Sequence, residues 1–228
     1  MAKILILSDT HSYLDPRLEK HIKAANQVWH AGDVGEIKVM DDIEAIKPLI
    51  AVHGNIDDHI VKAEYPLNQV FSVNGRKVVI THIAGYPNRY KPRALELIRQ
   101  ERPDLFICGH SHILKIMFDK KLNHLHINPG AAGKRGNHIV QTAIQLTITK
   151  QGEFKDLQIP NFIKIDTEGS EYEILNSLDF EKYRPVVFTI EHNFTNLQNK
   201  IDALMISKGY TRVFRELTSF DSWYVLNN

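Results

Sequence analysis

Short apolar runs recur along the first half of the chain, and each ends on a polar cluster built from Asp, Asn, His, Thr and Gly. The runs at residues 4–7, 28–29, 49–52, 78–80 and 105–108 are apolar without interruption, the pattern of strands buried on both faces. Between them the spacing turns helical. Asp15 and Pro16 make an N-cap and first-turn pair for a helix with Leu18, Ile22 and Ala25 on one face. A second helix is expected over residues 36–46, and a third over 93–102, ended by Pro103. Strand patterns then dominate, at 70–73 and 77–80 around an Asn74-Gly75 hairpin turn, and at 113–118, 124–127 and 139–149. Two packed sheets flanked by helices follow from this order, an α/β fold.

After Pro160 the chain changes character. Residues 162–165 and 186–190 read as buried strands, and 171–178 and 197–205 as helices. The last helix sets Leu197, Ile201, Leu204 and Met205 on one face and stops at Gly209, so the order is βαβα. The expected organisation is a domain over residues 1–158 and a small segment over 160–228.

The polar clusters are Asp9-Thr10-His11, Gly32-Asp33, Gly54-Asn55, Thr81-His82 and Gly109-His110-Ser111-His112. Any one of them alone is an ordinary turn or cap. Their ordered recurrence at strand ends, where open α/β sheets bind ligands, points to a two-metal hydrolytic site. Imidazole, carboxylate and amide oxygen suit divalent manganese, iron or zinc. Asp33 follows a glycine that lets backbone pack close, which makes it the natural carboxylate to bridge two ions. Asp9 and His11 are two residues apart, as are His110 and His112, and on extended segments each pair would point one way and chelate.

With these clusters in place, residues 1–158 resemble the calcineurin-like metallophosphoesterases, specifically the small YfcE-like branch, whose closing motif is matched by Asn128-Pro129-Gly130. The resemblance implies an αββα two-sheet sandwich and a dinuclear phosphoesterase, by preference a phosphodiesterase. It implies that Asp9, His11, Asp33 and His112 hold one ion and Asp33, Asn55, His82 and His110 the other, with Asp33, Asn55 and His82 as catalytic residues. Manganese is the first choice of metal, with iron, zinc, nickel or magnesium as alternatives, and a hydroxide between the ions is the implied nucleophile. The alternative is a binding scaffold that keeps the fold without the chemistry, against which the full ligand set argues. One departure stands out: many relatives carry histidine directly after the metal-binding asparagine, and here that position is Ile56.

The loop after His82 is the candidate substrate contact, with Arg89 and Lys91 available to phosphate oxygens and Tyr90 able to stack on a base or aromatic leaving group. His30 and His53 precede the glycines of two clusters and either support ligands or pack. His124 and His126 alternate on a strand and are expected to be half-exposed, and His21, His59 and His138 read as surface positions.

The segment 160–228 resembles the last part of FkbM-type methyltransferases through Ile165-Asp166-Thr167-Glu168-Gly169, Ile190-Glu191-His192-Asn193 and Asp221-Ser222-Trp223-Tyr224-Val225. It lacks the glycine-rich turn that would bind S-adenosylmethionine, so a non-catalytic half-Rossmann remnant is expected. The strand at 162–165 has lost a neighbour and should dock on the first domain, pair with another copy in a homo-oligomer, or leave a protease-sensitive tail.

Composition agrees. The chain has 228 residues, 43% hydrophobic and 24% charged, enough for one core and an appendage. Its net charge of +1 combines 21 Lys/Arg against 17 Asp/Glu in residues 1–158 with 7 against 10 in the remainder, so nucleic-acid binding is not indicated. No run is long enough for a signal-peptide core or a membrane span, which predicts a cytoplasmic protein. The single cysteine, Cys108, fits a reducing compartment and reads as a small buried apolar residue.

Overall fold

The computed structural model describes residues 1–136, 141–158, 162–165, 171–180, 185, 187–192, 197–213 and 221–227. By internal contacts the chain divides into two compact units, Met1–Gln158 and Ile159–Asn228.

In the first unit the strands are β1 (Ala2–Leu7), β2 (Gln27–His30), β3 (Leu49–Ala51), β4 (Asn68–Val73), β5 (Arg76–Thr81), β6 (Gly85–Tyr86), β7 (Arg89–Tyr90), β8 (Leu105–Ile107), β9 (Leu114–Asp119), β10 (His124–Pro129), β11 (Ile144–Ile148) and β12 (Phe154–Gln158). The helices are α1 (Glu19–Ala24), α2 (Lys38–Glu44), α3 (His59–Glu64) and α4 (Pro92–Glu101). One sheet has the order β12-β11-β1-β2-β3 and the other β4-β5-β8-β10-β9, while β6 and β7 form a separate small hairpin.

Alternation along β1 builds the layers. Leu5 and Leu7 pack with Ile22 of α1, Val39, Met40 and Ile43 of α2 and Val61 of α3. Ile4 and Ile6 are equally buried on the opposite face. Trp29, paired with Ile6 across the sheet, meets Phe71 of the second sheet edge to face at 5.1 Å between ring centroids. On the outer face of that sheet, Ala94 and Ile98 of α4 pack against Val79, Phe106 and Cys108. The result is the mixed α/β sandwich of two sheets between helices.

Several boundaries differ from the sequence reading for local reasons. Helix α3 was not expected. It has only six residues and one buried side chain, too short for a helical period, yet the Asp58 carboxylate caps it by accepting from the amides of Ile60 and Val61. Strand β12 was also missed, and it joins β11 across an irregular register between Gln145 and Thr147. The strand expected from 139 begins at Ile144, and positions 139 and 140, with His138, lie outside the described residues.

His124 and His126 are fully buried rather than half-exposed. Strand β10 lies between β8 and β9, and the face that both imidazoles share is covered by Phe106 and by Tyr90, whose hydroxyl hydrogen-bonds both rings at 2.9 and 3.2 Å. Burial pushes the His126 imidazole down to about 3, so it is neutral. His59 is exposed and His21 half-buried.

The second unit has strands β13 (Phe162–Ile165), β14 (Val187–Glu191), β15 (Tyr210–Val213) and β16 (Asp221–Leu226), with helices α5 (Glu171–Ser177) and α6 (Leu197–Ser207). The βαβα order is present, and two antiparallel strands extend it, giving the sheet order β13-β14-β16-β15. Its own core contains Leu175, Phe188, Ile190, Ile201, Met205, Tyr210 and Tyr224. Asp166, Thr167, Glu168, Gly169 and Asn193 of the methyltransferase-like motifs lie outside the described residues.

Because each unit carries its own sheet and core, a chain ending at Gln158 should unfold cooperatively, with Tm displaced by less than about 4 °C, equivalent to roughly 1 kcal/mol. Calorimetry of residues 1–158 beside the full chain checks this, and the loss of a cooperative transition would show that the first unit depends on the second.

Candidate metal centre

The strand-end clusters converge, but not on extended backbone. Asp9, His11, Asp33, His110 and His112 have φ of 55°, 47°, 53°, 69° and 58°, all in the left-handed region. The expectation that an i, i+2 pair would chelate from an extended segment is therefore corrected: left-handed turns aim these side chains. Asp9 and His11 still share one group, while His110 and His112 are split between two. Asp9, His11 and His112 bring one ligand atom each to within 4.8 Å of one another, and Asp33, His82 and His110 do the same.

Backbone bonds between loops hold the turns. The amides of Asp9, His11 and Ser12 donate to the carbonyls of Gly32, Asp33 and Val34, and the Gly109 amide donates to the His82 carbonyl. The amide of His110 donates to both Asp9 carboxylate oxygens at 3.2 and 3.1 Å. His30, fully buried, ties two loops as well. Its Nδ1 accepts from the Gly32 amide, so the neutral ring carries its proton on Nε2, which donates to Thr10 Oγ1; the hydroxyl in turn donates to the Val34 carbonyl. Burial pushes His30 down to about 4 and keeps it in that neutral form. Asn128 plays the same part on the far loop, donating to Gly109 and Ser111 and accepting from Gly130.

Two glycines are required by close approach. A Cβ on Gly54 would overlap the Asp33 carboxylate and backbone nitrogen, and one on Gly109 would overlap Ser8 and approach Asp9. Asn55, exposed, lies between Gly54 and Ile56, whose amide donates to Asp33 Oδ1 at 3.1 Å. Asp57 is buried and structural, its two oxygens accepting from the amides of Gly35 and Gly54. His53 Nδ1 lies 3.2 Å from the Gly54 carbonyl.

The electrostatics favour a cation. Asp9 and Asp33 are almost fully buried carboxylates. His82 Nδ1 lies 2.7 Å from the Ala31 carbonyl, which can only accept, so the neutral ring turns the Nε2 lone pair toward Asp33 Oδ1, 3.1 Å away. Two acceptors at that distance need a positive charge between them, a proton in the bare chain or a metal ion in a loaded site. In the bare chain burial opposes charge on His82, yet the Asp33 carboxylate outweighs it and raises the imidazole, while burial of Asp33 is outweighed by the hydrogen bond from His82 and that carboxyl is lowered. Asp9 Oδ1 likewise lies 3.2 Å from His112 Nε2, which is 3.2 Å from His11 Nε2. Nitrogen and carboxylate donors in two such groups, with an orphaned buried nitrogen among them, fit two divalent ions.

The candidate substrate residues lie on the β6–β7 hairpin and its exit. Arg89 is exposed and near the Tyr86 hydroxyl, and Lys91 occupies the N-cap position of α4 with its side chain exposed and making no capping bond. Tyr90 is turned into the sheet, with its hydroxyl on His124 and His126. Cys108 is a free, buried thiol whose pKa burial pushes up to about 12, in keeping with a packing role. Sequence reasoning passed over the loop that contains Lys134 and Arg135, which the Gly133 amide docks on the Asp9 carbonyl; a Gly-Lys-Arg-Gly stretch resembles any solvated loop.

The chain belongs to the calcineurin-like phosphoesterase superfamily, whose domain profile matches residues 2–151. It is 26% identical over 133 residues to a probable metallophosphoesterase of Methanothermobacter thermautotrophicus, a match covering 55% of this chain and 74% of that protein. Among solved structures, an archaeal phosphodiesterase is similar with a TM-score of 0.52 and 26% identity, covering 69% of this chain and 99% of that one. Vps29 of Entamoeba histolytica, solved in complex with zinc, shares the fold with a TM-score of 0.54 at 17% identity, covering 69% and 97%.

Gly54→Ala tests the packing that seats Asp33. The added methyl meets backbone as well as carboxylate, so Asp33 must shift. We expect a stability loss of about 1 to 3 kcal/mol in urea unfolding and metal affinity lowered about 10- to 100-fold in equilibrium dialysis. Wild-type values for both would show that the glycine is incidental.

Proposed function

We propose that the first unit is a dinuclear metal-dependent phosphoesterase of the YfcE-like branch, acting on phosphodiesters in the cytoplasm. The observation that carries the reading is the position of Asp33 between the two groups: Oδ1 lies 3.1 Å from His82 Nε2 of one, and Oδ2 lies 3.9 Å from His11 Nε2 of the other. One carboxylate thus faces both. Asp9, His11, Asp33 and His112 would hold one ion and Asp33, Asn55, His82 and His110 the other, manganese being the first choice. Bound divalent ions supply Lewis acidity that neutralises phosphoryl oxygens and acidifies water. The chain fixes the geometry: the Ala31 carbonyl orients His82, the Asp9 carboxylate receives the His110 amide, and the Ile56 amide holds Asp33. The likeness to an archaeal phosphodiesterase supports the diester preference. Residues 160–228 are read as an FkbM-type remnant outside the chemistry. Among the described residues no helix is long and apolar enough to cross a membrane.

Asp33→Asn removes a negative charge shared by both ions. It should lower turnover on the order of 10³-fold or more, about 4 kcal/mol, and reduce bound metal in elemental analysis. A variant that keeps both metals and near-normal turnover would refute the bridge.

Ile56, exposed directly after Asn55, has no proton to give a departing alkoxide, and both oxygens of nearby Asp57 are held by backbone amides. General-acid assistance is worth about 10²- to 10⁴-fold. Nitrophenyl diesters should therefore be cleaved far faster than alkyl diesters, and Ile56→His should favour the alkyl substrates. A rate independent of leaving-group pKa, with no gain from the histidine, would reveal another proton source.

A further inference from the structure

The loop 133–136 is docked on the first cluster by contacts independent of the candidate ligands' side chains. The Ala132 amide donates to the Ser8 carbonyl at 2.8 Å and the Gly133 amide to the Asp9 carbonyl at 3.0 Å. A Cβ on Gly133 would overlap the Thr10 carbonyl, so the backbones touch. Lys134 adds a clamp, its Nζ 4.0 Å from the centroid of the Tyr13 ring, whose own amide donates to Thr10. These contacts occupy Lys134 and leave Arg135, the next residue, exposed on a loop whose backbone touches the Asp9–Thr10 turn.

Among the described residues Arg135 makes no ion pair or hydrogen bond, whereas Arg17, Arg76 and Arg212 each hold a carboxylate. An unpaired guanidinium next to a site built for dications is repelled by its intended contents. The arrangement becomes favourable when an anion lies between the guanidinium and the metals, and planar guanidinium binds phosphate oxygens bidentately.

We propose that loop 133–136 is an anion subsite in which Arg135 takes non-bridging oxygens of the phosphate group bound at the metal centre. The proposal rests on the phosphoesterase reading, and it adds a substrate-binding residue on the Asp9, His11 and His112 side. Lys134 holds the loop, and Arg135 reaches the ligand.

The test uses the full chain loaded with manganese and compares Arg135→Ala, Arg135→Lys and, as a control for general charge loss, Lys120→Ala in the exposed β9–β10 turn. Orthophosphate affinity is measured by calorimetry, and KM and kcat with bis-para-nitrophenyl phosphate, with metal content and Tm recorded for each protein. Arg135→Ala should weaken orthophosphate about 10- to 100-fold and lower kcat/KM with unchanged metal content. Arg135→Lys should recover part of the loss, and Lys120→Ala should match the unmodified protein. Orthophosphate affinity and kcat/KM within twofold in Arg135→Ala, or an equal loss in Lys120→Ala, would overturn the subsite. An unmodified protein that hydrolyses no ester, yet binds orthophosphate in an Arg135-dependent way, would remove the enzyme reading and keep the subsite. Hydrolysis indifferent to Arg135 would do the reverse.

Discussion

The candidate metal centre depends on left-handed backbone at Asp9, His11, Asp33, His110 and His112. Residues other than glycine reach that region at a cost of about 1 to 3 kcal/mol each, so such turns persist only where surrounding contacts over-determine them. Here the contacts are backbone bonds between loops: Asp9 to Gly32, His11 to Asp33, Gly109 to His82 and Gly133 to Asp9. Each joins segments far apart in sequence and close at the strand ends. The strain and its restraint are both local to the site, while the sheets beneath supply fixed anchor points.

Charge imposes the second constraint. Buried carboxylates are stable only with a positive partner, and Asp9 and Asp33 find imidazole nitrogens at hydrogen-bond distance. Those imidazoles are themselves oriented. Ala31 sets the His82 tautomer, and the buried His30 bonds to Thr10 and Gly32 and so links the loops that contain Asp9 and Asp33. Gly54 and Gly109 give the carboxylates room to approach neighbouring backbone. The cluster is thus assembled in a form that a proton satisfies in the bare chain and that suits a divalent cation better.

The loop after His82 shows how tertiary packing reassigns chemistry-bearing residues. Tyr90 looks like a stacking platform in sequence, and in the structure its hydroxyl bridges two buried histidines while its ring packs on Phe106. Anchored there, it ties the hairpin to the second sheet and leaves Arg89 and Lys91 outside. Loop 133–136 moves the other way, from an unremarked stretch to a seat on the backbone of Asp9 and Thr10. Both shifts arise from strand order, since β10 lies beside β8 while the loop that follows it returns to β1.

The sequence by itself determined the α/β class, the main strands and helices, the Asn74-Gly75 turn, with φ of 49° and 79°, and the identity of the polar clusters. These are written in periods of two and 3.6 residues and in turn chemistry, which are local properties. Helix α3 and strand β12 escaped because one has a single buried side chain and the other pairs across an irregular register. The handedness of the turns at the candidate ligands, the burial of His124 and His126 and the docking of loop 133–136 on the Asp9–Thr10 turn were decided by tertiary structure alone. Those features depend on hydrogen bonds and packing between residues distant in sequence, some more than a hundred positions apart, such as Asp9 with His110 and with Gly133, and no local pattern records such partners.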